Sequence, residues 1–230
     1  NIAHRGFSGE YPENTILAFQ KALELGVDAI ELDVHLSSDG EVMIFHDEDL
    51  ERTTGETGLI KDYSYARLCK LDAAASYHGK FGRNPIPTLN EYLELIQGWN
   101  ITTFLELKNS VIVYPNLEEK VAECIYKFGV QKNTIVFSAN HPSVKVFGQL
   151  APDVPLLFPF DNWIFGYGAY CKEHGISKCM PYFRALTIEV ISEIQEHGIA
   201  IYPWIIDEVD NMKNMIKLGI DGILTNRPDR

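Results

Sequence analysis

The sequence predicts one (β/α)8 barrel of the TIM type across residues 1–230. Three observations predict it: eight short apolar segments alternate with amphipathic ones, a glycine recurs where helices should end, and the length suits a single barrel. The apolar segments are residues 2–4, 29–34, 102–107, 134–138, 154–158, 177–181, 200–206 and 222–225. Short, continuously apolar runs are the mark of parallel strands buried on both faces. Between them the spacing changes to a helical period. Ile16, Phe19, Ala22 and Leu23 form the first stripe, and Leu89, Leu93 and Ile96 the next. Val121, Cys124, Ile125 and Phe128 follow, then Ile188, Ile191 and Ile194, then Val209, Met212 and Ile216. Leu25-Gly26-Val27, Phe128-Gly129-Val130, His174-Gly175-Ile176, His197-Gly198-Ile199 and Leu218-Gly219-Ile220 all read as helix end, glycine, strand start. The residue just past a helix often takes a left-handed backbone, which costs glycine least. A doubly wound open sheet is the competing arrangement of the same alternation.

Two stretches depart from the alternation. After the second strand, Ser38-Asp39-Gly40 reads as a turn and residues 41–46 as a short returning strand, so a hairpin extends that strand. Residues 47–87 are too long for an ordinary connection and lack a clear period. They are expected to form an inserted cap over the barrel mouth.

Composition narrows the partners. With 46% hydrophobic residues the chain can bury a full core, and no apolar run approaches the ~20 residues of a membrane-spanning helix. No signal-peptide pattern is present, and the chain opens directly on the strand-like Asn1-Ile2-Ala3-His4, a start compatible with a leader upstream. Cys69, Cys124, Cys171 and Cys179 show neither a CxxC pair nor a disulfide framework, so free thiols in a reducing, cytoplasmic compartment are expected. The formal net charge of −12 argues against nucleic acid or an anionic membrane surface as partner. An anionic small molecule would need a local cation.

Active sites of such barrels lie at the C-terminal ends of the strands. Reading only those ends gives His4-Arg5, Glu31-x-Asp33 and Glu106-x-Lys108, with His46-Asp47 from the hairpin. Glu31 and Asp33 are two apart on a strand, so their carboxylates share one face. Burying such charges uncompensated costs several kcal/mol each. One divalent cation removes that cost, Glu106 can supply a third ligand, and an all-oxygen set suits Mg2+ or Ca2+ better than zinc. The plainer alternative is ion pairing of the acids with Arg5 and Lys108. His4 and His46 are imidazoles suited to moving protons at neutral pH. Arg5 and Lys108 can bind phosphoryl oxygens, as a planar fork and a point charge respectively.

Other residues are less pointed. Trp204 and Tyr202 either line a pocket for substrate carbons or pack the barrel. Pro12-Glu13-Asn14-Thr15 reads equally as a helix start, capped by Asn14 or Thr15, and as support for the site. His174 and His197 sit at helix ends. His35 is expected, by strand alternation, to point away from Glu31 and Asp33, while His78 and His141 have no evident partner.

Taken together, His4-Arg5-Gly6, Pro12-Glu13-Asn14-Thr15, Glu31-Leu32-Asp33-Val34, Asp39-Gly40 and His46-Asp47 resemble the glycerophosphodiester phosphodiesterase family. Arg52-Thr53-Thr54, Ile86-Pro87-Thr88-Leu89, Glu106-Leu107-Lys108 and Asp221-Gly222-Ile223-Leu224-Thr225 continue the match in order along the whole chain. The resemblance implies a barrel with an insertion between hairpin and second helix. It implies Glu31, Asp33 and Glu106 as ligands of Mg2+ or Ca2+, and His4 and His46 as the acid/base pair. The reaction implied turns a small-molecule glycerophosphodiester into glycerol 3-phosphate and an alcohol. Three places depart from the family pattern. Trp204-Ile205-Ile206-Asp207 stands where tryptophan is usually followed by Thr-Val-Asn, Asn226 where aspartate is usual, and Ser138-Ala139-Asn140 where serine is followed by phenylalanine. These are expected around the alcohol side of the substrate, touching specificity more than activity.

Two rivals remain open at this point. One is a related phosphodiesterase acting on lysophospholipids or inositol lipids, which a hydrophobic groove between insertion and mouth would favour. The other is an inactive binding barrel, against which the intact acids and histidines argue. Whether the attacking group is water or the glycerol's own vicinal hydroxyl is also open.

Overall fold

The computed structural model describes residues 1–230. Its strands are β1 (Ile2–Ala3), β2 (Ala29–Leu36), β3 (Val42–Ile44), β4 (Thr102–Leu107), β5 (Thr134–Phe137), β6 (Phe158–Phe160), β7 (Lys178–Pro181), β8 (Ala200–Ile201) and β9 (Leu224–Thr225). All pair in parallel except β3, which folds back on β2 as the hairpin. Regular ladders run in two arcs, β5-β4-β2-β1-β9 and β6-β7-β8.

Single bonds close the arcs into a barrel, which excludes the open sheet. Between β5 and β6, Val136 N–H donates to the Pro155 carbonyl (2.9 Å) and Leu157 N–H to the Val136 carbonyl (3.1 Å). Between β8 and β9, Leu224 N–H donates to Pro203 (3.1 Å) and Ile206 N–H to Leu224 (3.0 Å). Pro155, Pro159 and Pro203 have no N–H to give, so the ladders thin out beside them. The expected strands at 154–158 and 200–206 therefore appear as regular strand only over Phe158–Phe160 and Ala200–Ile201, with isolated bonds along the rest.

The barrel helices are α1 (Ile16–Leu25), then α4 (Leu89–Leu95), α5 (Leu117–Phe128), α6 (His141–Leu150), α7 (Tyr167–Glu173), α8 (Ile188–Glu196) and α9 (Val209–Lys217), with the short α2 (Glu51–Thr54) and α3 (Tyr65–Leu68) in between. Side-chain oxygens of Thr15, Thr88, Asn140 and Thr187 accept from the first free N–H groups of α1, α4, α6 and α8. The five helix-end glycines are all left-handed, as their spacing predicts. The stripe of α9 is turned from the expected one: Met212 and Met215 are buried, while Ile216 is 63% exposed. Thioether side chains take the inner row there, and Ile216 falls outside it.

On β2 the two faces do different work. Ile30, Leu32 and Val34 pack outward with Phe19, Leu93 and Val121 in the core under α1, α4 and α5. Inward, the barrel is plugged by Ile2, Ala29, Phe104, Ile135, Phe137, Leu157, Met180 and Leu224. Above this plug the inward positions turn polar. Residues 47–87 carry α2 and α3, and Leu50, Ile60, Leu68, Ala73 and Ile86 pack there with Met43 and Phe45 in a core of their own. Cys124, Cys171 and Cys179 are buried free thiols and Cys69 a partly exposed one. No helix is long and apolar enough to cross a membrane.

Candidate active site

The site begins where β1 ends. Arg5 and Gly6 are both left-handed (φ 56° and 76°), so the chain turns sharply back over α1. A Cβ on Gly6 would lie 2.8 Å from the Ala18 carbonyl carbon, so the turn needs glycine as well as tolerating it. The turn aims the Arg5 backbone N–H at Glu31 Oε2 (3.0 Å). The Arg5 guanidinium donates to Glu13 (2.8 Å) and lies 3.5 Å from Asp33. Glu13 also accepts two bonds from Arg52, at 2.7 and 2.9 Å, so one carboxylate clamps two guanidinium groups.

Parallel register places the acids together. Glu31 lies beside Phe104 and Asp33 beside Glu106, so the three carboxyl groups converge just above the apolar plug. One oxygen from each of Glu31, Asp33 and Glu106 falls within 4.8 Å of the others. Glu31 and Asp33 are buried and Glu106 nearly so. Burial, then the neighbouring Asp33, push the Glu31 carboxyl well above its ordinary range. Burial pushes Glu106 up to about 7, with Lys108 opposing and Asp33 adding to the rise. Burial acts upward on Asp33 too, but Arg5 and Lys108 outweigh it and hold this carboxyl below its usual range. Lys108 Nζ sits 3.3 Å from Glu106 and 3.7 Å from Asp33, and the Asn14 amide donates to Asp33 at 2.8 Å. Two cations against three buried acids leave an excess of negative charge. An all-oxygen set with that excess fits a divalent cation. Ion pairing with Arg5 and Lys108 is present as well, and does not balance the cluster.

Both histidines have their inner nitrogen engaged. Asn226 Nδ2 donates to Asp207 (2.8 Å), which orients the amide so that its oxygen accepts from His4 Nδ1–H (2.7 Å). His4 Nε2 is left as the free nitrogen, 3.9 Å from Glu31. Burial, then Arg5, lower the His4 pKa to about 4. His46 Nδ1 instead meets a carboxylate, Asp47 Oδ1 at 2.7 Å, and Arg52 Nε donates to the other Asp47 oxygen at 2.5 Å. A cavity of about 180 Å³ brings together His4, Arg5, Glu31, His46, Glu106, Lys108 and Trp204. Its apolar wall is Phe137, Pro159, Met180 and Leu224 from the strands, and no residue of 47–87 lines it. The Trp204 Nε1–H is buried with no protein partner.

Three expectations need correction. Residues 31, 33 and 35 have the same parity, so His35 lies on the inward face, not away from the acids. Its Nε2 is 3.1 Å from the His46 carbonyl and its Nδ1 is 2.9 Å from the Tyr114 hydroxyl. Burial lowers its pKa to about 4. Tyr202, left open between pocket and packing, packs edge-on to Phe104 (5.3 Å) in the plug. The departures at 207 and 226 are not confined to an alcohol side of the site, because Asn226 bonds the candidate catalytic His4. Asp207 and Asn226 are hydrogen-bonded partners, so the two departures meet across one contact. Of the motif 12–15, Thr15 caps α1 while Asn14 supports Asp33, so both readings hold. His141 has partners after all, the Pro159 carbonyl (3.0 Å) and the Phe158 ring stacked at 4.0 Å. Asp161 also lines the cavity; its position after the fifth barrel strand, β6, was the signal available for it.

Comparison with known proteins decides the family. The model of the "Glycerophosphoryl diester phosphodiesterase family" matches residues 4–230. The chain belongs to that family. A Bacillus altitudinis glycerophosphodiester phosphodiesterase is 41% identical over 232 residues, covering 100% of this chain and 95% of the relative. A namesake from Caldanaerobacter subterraneus is 35% identical over 228 residues, 99% and 94% of the two chains. An Oleispira antarctica phosphodiesterase, solved with the product sn-glycerol-3-phosphate, superposes with a TM-score of 0.88 at 26% identity, covering 99% of this chain and 92% of that one. This family member is thus a TIM-barrel hydrolase.

Proposed function

We propose that the chain hydrolyses glycerophosphodiesters to glycerol 3-phosphate and the head-group alcohol, with Glu31, Asp33 and Glu106 holding one Mg2+ or Ca2+ ion. The observation that carries the reading is the convergence of three carboxyl oxygens within 4.8 Å, with Glu31 and Glu106 lining a cavity shared with two imidazoles. A dication bound there would supply Lewis-acid stabilisation of the charge that builds on the phosphoryl oxygens. Lys108 adds a fixed positive charge on the same side, and Arg5, braced by Glu13, keeps Glu31 and Asp33 in place.

The two histidines divide the proton work by what stands behind them. His4 has a neutral amide behind Nδ1 and a free Nε2, so it accepts the proton of the attacking oxygen. His46 has the Asp47 carboxylate behind Nδ1, which compensates a proton carried on the ring, so it delivers that proton to the leaving alkoxide. The oxygen of the attacking hydroxyl bonds to phosphorus, the bond from phosphorus to the alcohol oxygen breaks, and the alcohol leaves neutral. When water attacks, glycerol 3-phosphate forms directly; when the vicinal hydroxyl attacks, water opens a cyclic phosphate afterwards. Trp204, with its unpaired N–H, and the apolar wall beside it form the side that meets the substrate's carbon.

The test is release of glycerol 3-phosphate from glycerophosphocholine, glycerophosphoethanolamine and glycerophosphoglycerol. Turnover that disappears in chelator and returns with added Mg2+ or Ca2+ is expected. Undiminished turnover in chelator would remove the cation from the mechanism, and no release from any of the three would remove the substrate class.

A further inference from the structure

His35 is fully buried, lies outside the cavity lining and has no part in the chemistry above. We propose that it is a positioning residue for His46, holding the peptide that carries the leaving-group acid. The inference rests on the reading of His46 as that acid.

Burying an imidazole is costly unless both nitrogens are satisfied, and here both are. The His46 carbonyl oxygen can only accept, so the bond at 3.1 Å requires the proton on His35 Nε2. Nδ1 is then an acceptor, and the Tyr114 hydroxyl donates to it at 2.9 Å. One tautomer fits both contacts. Tyr114 is itself pinned: its backbone N–H donates to Asn109 Oδ1 (2.6 Å), and the Asn109 amide donates to the buried Glu118 (2.8 Å). The relay Glu118–Asn109–Tyr114–His35 thus ties the segment next to Lys108 to the peptide of His46.

His46 needs such a tie. The regular strand β3 stops at Ile44, and Phe45 N–H makes one more bond, to the Asp33 carbonyl (3.0 Å). Past that point the His35 bond holds the carbonyl of the very residue that must aim its ring at the leaving oxygen. A misplacement of ~1 Å at a reacting group costs on the order of 100-fold in rate. A leucine of similar bulk would fill the space and leave the carbonyl free to turn.

The experiment compares glycerophosphocholine, whose alkoxide leaves only with a proton, with the p-nitrophenyl ester of glycerol 3-phosphate, whose phenolate leaves without one. For His35→Leu, kcat on the choline ester should fall about 30-fold or more with KM within about threefold, and the loss on the aryl ester should be at least about tenfold smaller. His35→Gln places an amide N–H where Nε2 stood and should recover kcat to within about fivefold. Tyr114→Phe should show the same pattern, more weakly; it and His35→Gln carry the test should His35→Leu fail to fold by circular dichroism. Equal losses on both esters, or no rescue by glutamine, overturn the proposal. Should His46→Ala itself fail to distinguish the two esters, the reading of His46 as acid falls instead, and the two failures are told apart.

Discussion

Replacing Glu31 by glutamine should make the cation-free protein more stable and the working enzyme inactive. The side chain is buried, with Asp33 and Glu106 oxygens within 4.8 Å. At an effective dielectric constant of ~20, two like charges at that distance repel by about 3 kcal/mol. Against this stands the hydrogen bond from the Arg5 N–H at 3.0 Å, worth roughly 1.5–3 kcal/mol to a charged acceptor and kept in weaker form by the amide. Two such neighbours repel by about 6 kcal/mol together. The Arg5 guanidinium, the weakened hydrogen bond and the raised protonation of the buried Glu31 carboxyl offset most of it, leaving about 2 kcal/mol in favour of Glu31→Gln at pH 8 in chelator. For a chain of 230 residues this is a rise in Tm of about 4–8 °C. A cation at 100 times its Kd should then stabilise the wild type by about 2.7 kcal/mol and the variant much less. Differential scanning calorimetry with chelator, Mg2+ and Ca2+ reads both effects. A variant less stable than wild type in chelator, or cation shifts of equal size in the two proteins, would refute the account of the cluster.

The remaining predictions follow from the same geometry. His4→Ala and His46→Ala should each lower kcat by about 10²–10⁴-fold with the Tm little changed, and near-normal turnover in either would end its proton-transfer role. In chelator, the stability that Glu106 contributes, read as wild type minus Glu106→Gln so that the opposing His4 and His35 cancel, should fall as pH rises from about 4.5 through about 7. Glu106 titrates near 7 in the folded chain and lower when unfolded, so the native state holds the extra proton in that window. Urea denaturation at pH 5 and pH 8 measures the sign, and added cation should flatten the slope. Asn226→Asp sets a second carboxylate against that of Asp207 and should cut kcat about tenfold or more, whereas adding Asp207→Asn should bring it back to within about threefold. A double variant no better than the single one would show that the contact is not a functional pair.

Much of this was legible in the sequence, for reasons that differ by element. The barrel strands and most helices were readable because buried parallel strands and glycine-ended helices leave local signals. Glu31, Asp33 and Glu106 were readable because period two puts acids on one face and adjacency of strands brings in the third. The ends of β6 and β8 were not, because a proline can sit in a barrel wall while removing the bonds that define a strand. His35 was misplaced although parity with Glu31 and Asp33 settles it, since an isolated histidine in an apolar strand invites the wrong face. The contact of Asp207 with Asn226 depends on which strands become neighbours at closure, and the clamp of Glu13 on Arg5 and Arg52 joins segments 39 residues apart; neither leaves any local trace.

The two proline-thinned seams have a consequence for how such a molecule can change. The acids, Lys108 and both histidines belong to the arc running from β9 through β1 and β2 to β5. The arc β6-β7-β8 brings Pro159, Met180 and Trp204 to the cavity, with Asp161 its one charged group there, a mostly apolar wall that on the proposed reading meets the alcohol side of the substrate. Each arc also rests mainly on its own apolar cluster. Drift in one half can therefore retune which alcohol is tolerated while the other half preserves the chemistry, a division of labour laid down at the level of backbone hydrogen bonding.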